Sequence, residues 1–468
     1  MHRSRNRGES EICNGIAPQA RFYTKFFMSY LAAIEQLNAM VPELYSQVGK
    51  PRRKFSLDEV RTLLESLGNP QRRFPSVLIA GTNGKGSTAA TLASILSASG
   101  LRVGLYTSPH LERPNERIRM NSVEIGDDDF ARLFFRVLET AESLLHAGRL
   151  PQLPSYFEIL TTLAFLHFAE SKVEIAVLEV GMGGRLDATN VVDPLLSIVT
   201  DISLDHMEWL GPTISAIARE KAGILRRNGT MVALPQHPEA NQVLGEVAAE
   251  LNVRDISAVP YLAQAETVTP YSLEALGSTV VVDSPLAGAH QHRNIALAIA
   301  AAVELAEGHG FPITASALEQ GIRSTSWPGR LERFAVAGVD WILDVAHNPA
   351  GAWALRAALG SIFPEQRPRI LVFSCLRDKP LAELAQILFP LFERVILAPI
   401  HSPRAAAMSD LRAAAETVGV STVAAQSVQE AIVHAQKLAA GGVAVVSGSV
   451  YLVGEARSLL LAGPGNAR

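Results

Sequence analysis

A chain of 468 residues that is 48% hydrophobic and 19% charged, with a formal net charge of −4, has enough apolar material for more than one buried core. That balance excludes a disordered, collagen-like or nucleic-acid-coating protein and points to small molecules as partners, with no nucleic acid among them. Cys13 and Cys375 supply neither a disulfide framework nor metal-ligand spacing, and the run IALAIAAAVELA, which carries Glu304, is far shorter than the roughly 20 residues that span a bilayer, so a cytoplasmic protein without a membrane partner is expected.

The opening MHRSRNRGESEICNGIAPQARFYTKFF is basic and polar and lacks an apolar signal core. It reads as a flexible extension over residues 1–28; translation from Met28 and an organelle-targeting segment are the competing readings. Helical spacing follows in YLAAIEQLNAM and SLDEVRTLLESLG, closed by Gly68 and Pro70. The pattern then changes. Short apolar runs (SVLIAG, RVGLYTS, EIAVLEVG, LLSIVTDIS, TMVALP) alternate with helix-length amphipathic segments, as a parallel sheet with crossover helices requires. A second series, WILDVAH, RILVFSC, RVILAPI and VAVVSGS, begins after a break at Trp327 to Leu331 that contains Pro328 and Gly329. An α/β domain over 29–328 and a second over 329–468 are therefore expected.

Between the strand SVLIA and a helix with Ala89, Leu92, Ala93 and Leu96 on its buried side lies GTNGKGS, which includes Thr82, Asn83, Gly84, Lys85, Gly86 and Ser87. Unpaired amides at a helix N-terminus attract anions, glycines let phosphate oxygens approach that backbone, and Lys85 adds a mobile cation. The stretch departs from the plain G-x-x-x-x-G-K-[ST] signature because Gly86 separates Lys85 from Ser87. A turn cluster with a solvated lysine is the competing reading.

GTNGKGS resembles the ATP-binding loop of the Mur ligase superfamily and, within it, of the folylpolyglutamate synthase and dihydrofolate synthase family. YTSPHL with NERI, LEVGMGGRLDATN, SLDHMEWLG, REKAGI, WPGRLE, DVAHNP and GSVYLVGEAR follow in the same order, so the resemblance covers about residue 30 to about residue 460. It implies a large parallel-sheet, P-loop NTPase-like α/β domain followed by a smaller Rossmann-like α/β domain in a monomer. The implied reaction joins L-glutamate to a folate, and to dihydropteroate as a further acceptor, through an acyl phosphate made from ATP. The region KFSLDEVRTLLESLGNPQ departs in length from some bifunctional members at the segment that helps hold dihydropteroate.

Such chemistry needs Mg²⁺, a hard ion that takes oxygen ligands and keeps waters and phosphate oxygens. Glu179, Ser108 and His206 follow strand-like runs and could converge at one sheet edge; composition by itself favours Glu179, a turn cap being the ordinary reading of Ser108 and a satisfied polar group that of His206. The resemblance implies two Mg²⁺ ions at the matching positions, and a carbamylated Lys221 supporting the second, where residue type alone would make Lys221 a surface lysine beside Glu220. VGMGGRLDATN suits a loop closing over an anionic ligand; the resemblance makes Leu186, Asp187 and Ala188 substrate contacts with Ser155 opposite, a serine where threonine is common. It also gives Asn294, Arg330 and Asp344 to the nucleotide, against the plain readings of a helix start for Asn294 and a solvated Arg330. His347 is a candidate for the nucleotide, the amino acid or its amine proton, and Ser402, Arg404, Ser447 and Tyr451 are candidates for the glutamate side. Cys375 reads as a core thiol. Three rivals stand beside this reading: another amino-acid ligase of the superfamily, a nucleotide-responsive binding protein without catalysis, and a metabolite kinase.

Overall fold

The structure, a computed structural model, describes residues 29–40, 56–264, 269–362 and 368–462. The expectations for residues 1–28, Cys13 among them, lie outside these. The first sheet has eight strands: β1 (Ser76–Ala80), β2 (Val103–Tyr106), β3 (Ile118–Met120), β4 (Val123–Glu124), β5 (Ile175–Glu179), β6 (Leu196–Val199), β7 (Thr230–Ala233) and β8 (Arg254–Ser257). Their order is β4-β3-β2-β5-β1-β6-β7-β8, with β3 and β4 antiparallel and the rest parallel.

Strands β1 and β5 are buried at every position, the state that crossover helices on both faces impose and the reason these strands read as unbroken apolar runs. Their side chains alternate between two cores. Leu78, Ala80, Ala176 and Leu178 join the core under the helices Asp127–His146 and Tyr156–Glu170, whereas Val77, Ile79, Ile175 and Val177 face the helices Lys85–Ala98, Ala289–His309 and Ala315–Arg323. Helix Lys85–Ala98 is buried almost throughout because it lies between the sheet and the other two helices. Its first turn is thereby held at the carboxyl end of β1.

A two-stranded hairpin, β9 (Tyr271–Ala275) with β10 (Ser278–Val282), precedes helix Ala289–His309. The second sheet comprises β11 (Glu332–Val336), β12 (Val339–Leu343), β13 (Arg369–Phe373), β14 (Arg394–Leu397), β15 (Thr422–Ala424) and β16 (Val443–Ser447). Its order is β11-β12-β16-β13-β14-β15, parallel except for β11. Each face again carries its own core, with Leu371 and Val445 on one and Val372 and Val446 on the other.

The nine strands expected from apolar runs are all present. Seven of the described strands were not expected, and three of them have a plain reason: β3 and β4 are three and two residues long, and β8 is an edge strand with mostly exposed positions, so none of the three presents a readable period. Among the described residues no helix is long and apolar enough to cross a membrane.

Candidate functional site

A cleft of about 540 Å³ opens where the carboxyl edge of the first sheet meets the loops of the second. Loops at that edge are where open α/β sheets place ligands. Thr82, Asn83, Gly84, Lys85, Gly86, Ser87, Ser108, Glu179, His206, Lys221, Asn294, Arg330, Asp344 and His347 all line it. Residues separated by more than 260 positions are thus brought to one cavity.

The glycine-rich loop is built as an anion site. Gly84 is the N-cap of helix Lys85–Ala98 at φ +87°, and its carbonyl accepts the Thr88 amide at 2.9 Å. The loop is tied to the turn after β6: the Thr82 and Asn83 amides donate to the Asp201 carbonyl at 2.9 and 3.1 Å. Arg293 clamps the Asp201 carboxylate, with Nη2 2.6 Å from Oδ1. Lys85 makes one contact of its own, from Nζ to the Thr82 carbonyl at 3.3 Å, which leaves its charge available to the cleft. At Gly86 a Cβ would lie 2.8 Å from the Trp327 ring, so the loop rests on the connection to the second sheet. This geometry favours the phosphate cradle over the turn with a solvated lysine.

Glu179 ends β5, is 4% exposed and accepts the Ser108 amide on Oε2 at 3.0 Å. Burial raises its pKa, opposed chiefly by the charge of Lys85. No ion-pair partner lies within 4.0 Å of it among the described residues, and a buried carboxylate in that state invites a cation. His206 has its pKa lowered to about 3 by burial, so its imidazole is neutral and carries a lone pair at neutral pH. The described residues contain no cluster of three or more His, Cys, Asp and Glu that could hold a metal unaided. Oxygen from Glu179 and Ser108 with one nitrogen from His206 fits a Mg²⁺ that takes its other ligands from phosphate and water.

Lys221 is not a surface residue. It is 4% exposed, its Nζ donates to the Gly81 carbonyl at 2.7 Å, and burial, followed by the charge of Lys85, lowers its pKa to about 7. Burial thus favours the unprotonated amine, a state in which it can act as a nucleophile.

Asn294 stands in the second turn of helix Ala289–His309 rather than at its start, 5% exposed, with Nδ2 donating to Gln291 Oε1 at 2.8 Å. Arg330, just before β11, has its pKa lowered by burial and is balanced by Asp344 and Glu179. The Asp344 carboxylate accepts the Leu331 and Ala346 amides, both at 2.9 Å, and so fixes the turn that presents Arg330 and His347. His347 Nδ1 lies 2.8 Å from the Val345 carbonyl, which can only accept, so the hydrogen sits on Nδ1.

Ser155, Leu186, Asp187 and Ala188 do not line this cleft. Gly181 and Gly183, earlier on the same loop as Leu186, Asp187 and Ala188, do. Ser155 caps helix Tyr156–Glu170 in a capping box with Glu158. Asp187 accepts from the Met182 and Thr189 amides, each at 3.0 Å, and burial raises its pKa. A Cβ at Gly181 would meet both Phe157 and Asp187, so the substrate-loop residues and the Ser155 helix share one contact. Ser402, Arg404, Ser447 and Tyr451 are also outside the cleft lining; Arg404 pairs with Asp378 at 2.7 Å and Ser447 is fully buried.

Among the residues that escaped sequence reasoning, Asp201, Ser203 and Arg293 brace the phosphate loop, and Asp205 and Lys379 form a pair between the two domains. Asp205 lines the cleft and takes the Lys379 ammonium at 2.7 Å, both side chains being almost fully buried. Burial would raise the Asp205 pKa, but the facing His347, His206 and Lys379 hold it well below the usual carboxylate range. A signal existed for both members of this pair: Asp205 precedes His206 in SLDHMEWLG, and Lys379 follows the strand RILVF in SCLRDKP.

The chain matches the Mur ligase middle domain over residues 79–302 and the Mur ligase glutamate ligase domain over residues 329–450. It is 34% identical over 423 residues to a Bacillus subtilis dihydrofolate synthase/folylpolyglutamate synthase, covering 87% of this chain and 95% of that protein. To the Mycobacterium tuberculosis dihydrofolate synthase/folylpolyglutamate synthase it is 36% identical over 439 residues, 86% of this chain and 90% of that protein. Among solved structures, the Mycobacterium tuberculosis folylpolyglutamate synthase complexed with ADP superposes with a TM-score of 0.84 at 33% identity, covering 92% of this chain and 98% of that one. An Escherichia coli structure in complex with DHPP and ADP gives 0.79 at 30% identity, with 93% and 98% covered.

Proposed function

The chain belongs to the folylpolyglutamate synthase and dihydrofolate synthase family of Mur ligases, and from that membership we propose that it is an ATP-dependent amide ligase of the cytosol that joins L-glutamate to a folate, with dihydropteroate as a further acceptor. The observation that carries this reading is the cleft itself: an anion cradle, a buried acid without a cation and basic groups of the second sheet's loops all face one cavity.

A carboxylate does not yield to an amine, because its leaving group would be oxide. Phosphorylation removes that obstacle. The triphosphate lies on the amides at the start of helix Lys85–Ala98 with Lys85 beside its end, and Asn294 and Asp344 hold the rest of the nucleotide. The acceptor carboxylate, positioned by the loop of Leu186, Asp187 and Ala188 with Ser155 opposite, attacks the γ-phosphorus and releases ADP. Arg330, reaching from the second sheet's side of the cleft, spreads the charge that develops on the transferred group and so ties the step to closure of the two domains. The glutamate amine then displaces phosphate from the acyl phosphate. His347 takes the amine proton on Nε2, since Nδ1 already carries one.

Glu179, Ser108 and His206 would hold Mg²⁺, which supplies neutralisation of phosphate charge when bound. Lys221 adds CO₂ through its unprotonated amine, releasing one proton and becoming a carbamate anion fit to support a second ion. An enzyme of this kind releases phosphate only when acceptor and glutamate are both present. Slow hydrolysis indifferent to both would instead mark a nucleotide-responsive binding protein, and a stable phosphorylated product formed without any amine would mark a kinase.

A further inference from the structure

The turn after β6 faces two ways. On one side it holds the phosphate loop: besides the Asp201 carbonyl, Ser203 accepts the Thr82 hydroxyl at 3.0 Å, donates its amide back to Thr82 Oγ1 at 3.1 Å, and takes Asn83 Nδ2 on its own hydroxyl at 3.1 Å. Two residues on, Asp205 turns to the second domain. Lys379 Nζ is 2.7 Å from Oδ1, Asn348 Nδ2 is 3.1 Å from Oδ2, and His347 Nε2 is 3.6 Å from Oδ2. Asn348 then closes a ring, because its second Nδ2 hydrogen goes to Asn83 Oδ1 at 3.0 Å. The orientation of that amide is fixed, since Asn348 Oδ1 accepts the Gly351 amide at 2.8 Å at the start of helix Pro349–Ile362.

We propose that Asp205 is a positioning residue for the ligase reaction: through Lys379 and Asn348 it sets the second domain in register with the phosphate loop. The inference rests on the ligase reading above for its kinetic part only. Both Asp205 oxygens already accept from the second domain, and Oδ1 also takes the His206 amide at 2.9 Å, which leaves the carboxylate ill placed to serve as a metal ligand or a base. A buried charge pair adds little net stability, yet removing one partner strands the other, so such a pair fixes geometry rather than merely strengthening contact. Misplacement by about 1 Å of groups that must meet costs a reaction about 100-fold. The seam has another ion pair for comparison. Arg457 Nη1 is 2.8 Å from Glu112 Oε1, in a more exposed position, and Glu112 has no bond to the phosphate loop.

The test is a double-mutant cycle on the full chain: Asp205→Asn, Lys379→Met, the double variant, and Glu112→Gln as the seam control. Each single variant of the pair is expected to lower kcat by about 100-fold with KM for ATP within about 3-fold of the parent, since the loop keeps its Asp201 and Ser203 bonds. The double variant is expected to be no worse than either single, and Glu112→Gln to stay within about 3-fold in kcat. Hydrogen exchange supplies a readout independent of ligase activity: in Asp205→Asn, amides of residues 344–348 and 376–380 exchange faster while those of 81–88 keep their protection. Losses that multiply in the double variant, a KM for ATP that rises in step with the fall in kcat, an equal loss in Glu112→Gln, or unchanged exchange at 344–348 and 376–380 would each overturn the assignment. If Asp205→Asn fails to fold, Lys379→Met decides by the same kinetic and exchange criteria. If Asp205→Asn shows this exchange pattern while the parent protein makes no amide, the ligase reading is refuted and the role of Asp205 in setting the second domain against the phosphate loop stands.

Discussion

Gly84→Ala places one methyl group in the tightest part of the phosphate loop. Gly84 sits at φ +87°, where an alanine costs about 1 kcal/mol or more in backbone strain. Its Cβ would lie 2.1 Å from Asn294 Oδ1, so Asn294 must move. That side chain has little room: it is 5% exposed and bonded to Gln291, itself 1% exposed. Displacing a buried, hydrogen-bonded amide costs about 1–3 kcal/mol. Strain and displacement together come to about 2–4 kcal/mol, and the displacement falls on a residue assigned to the nucleotide. At 1.4 kcal/mol for each factor of ten, the displacement of about 1–3 kcal/mol should raise KM for ATP by about 5–150-fold. Gly100→Ala is the control, because Gly100 has a similar φ of +83° but nothing within 4 Å of its Cβ, so it should lose a little stability and keep its KM. Initial rates against ATP concentration, with thermal unfolding of both variants, make the comparison. A KM for ATP in Gly84→Ala within twofold of the parent, or an equal rise in Gly100→Ala, would refute the assignment of this loop and Asn294 to ATP.

Lys85→Ala should lower amide formation by at least about 100-fold while leaving the unfolding transition in place, since its one hydrogen bond is to Thr82 of its own loop; normal turnover would remove Lys85 from the mechanism. Lys221 should yield a carbamate signal by NMR when ¹³CO₂ is supplied, growing as pH rises through about 7 and absent in Lys221→Met. Without CO₂ the same residue makes folding depend on pH. Its folded value of about 7 lies below its ordinary 10.5, so between the two the unfolded chain binds a proton that the folded chain refuses. Stability should therefore climb from about pH 7 to about pH 10.5, and Lys221→Met should flatten that part of the profile in chemical unfolding; an unchanged slope would contradict the burial of the amine.

The sheets were legible where burial on both faces writes an unbroken apolar run, as in SVLIA and EIAVLE, and illegible where strands are two or three residues long, as at Val123–Glu124. The phosphate loop was legible because glycine, lysine and a following helix have one joint physical reading. Lys221 was the opposite case. Its residue type says surface, and only the closing of helix Ile214–Ala222 onto Gly81 buries it. Asp205 and Lys379 were missed because a pair 174 positions apart leaves no local pattern; each is an ordinary charged residue until two domains meet. Ser155 and Asp187 show the reverse limit: the resemblance marked them for substrate, whereas their visible bonds organise the capping box and the turn at Thr189.

The central claim is that the terminal phosphoryl group of ATP passes to a carboxylic acid before glutamate arrives. It is tested most directly by supplying the purified protein with ATP, Mg²⁺, glutamate and a folate whose acceptor carboxylate carries ¹⁸O. An acyl phosphate predicts that the released phosphate contains one oxygen from that carboxylate, in step with the amide formed. Unlabelled phosphate, or phosphate released at the same rate without the folate, would contradict it.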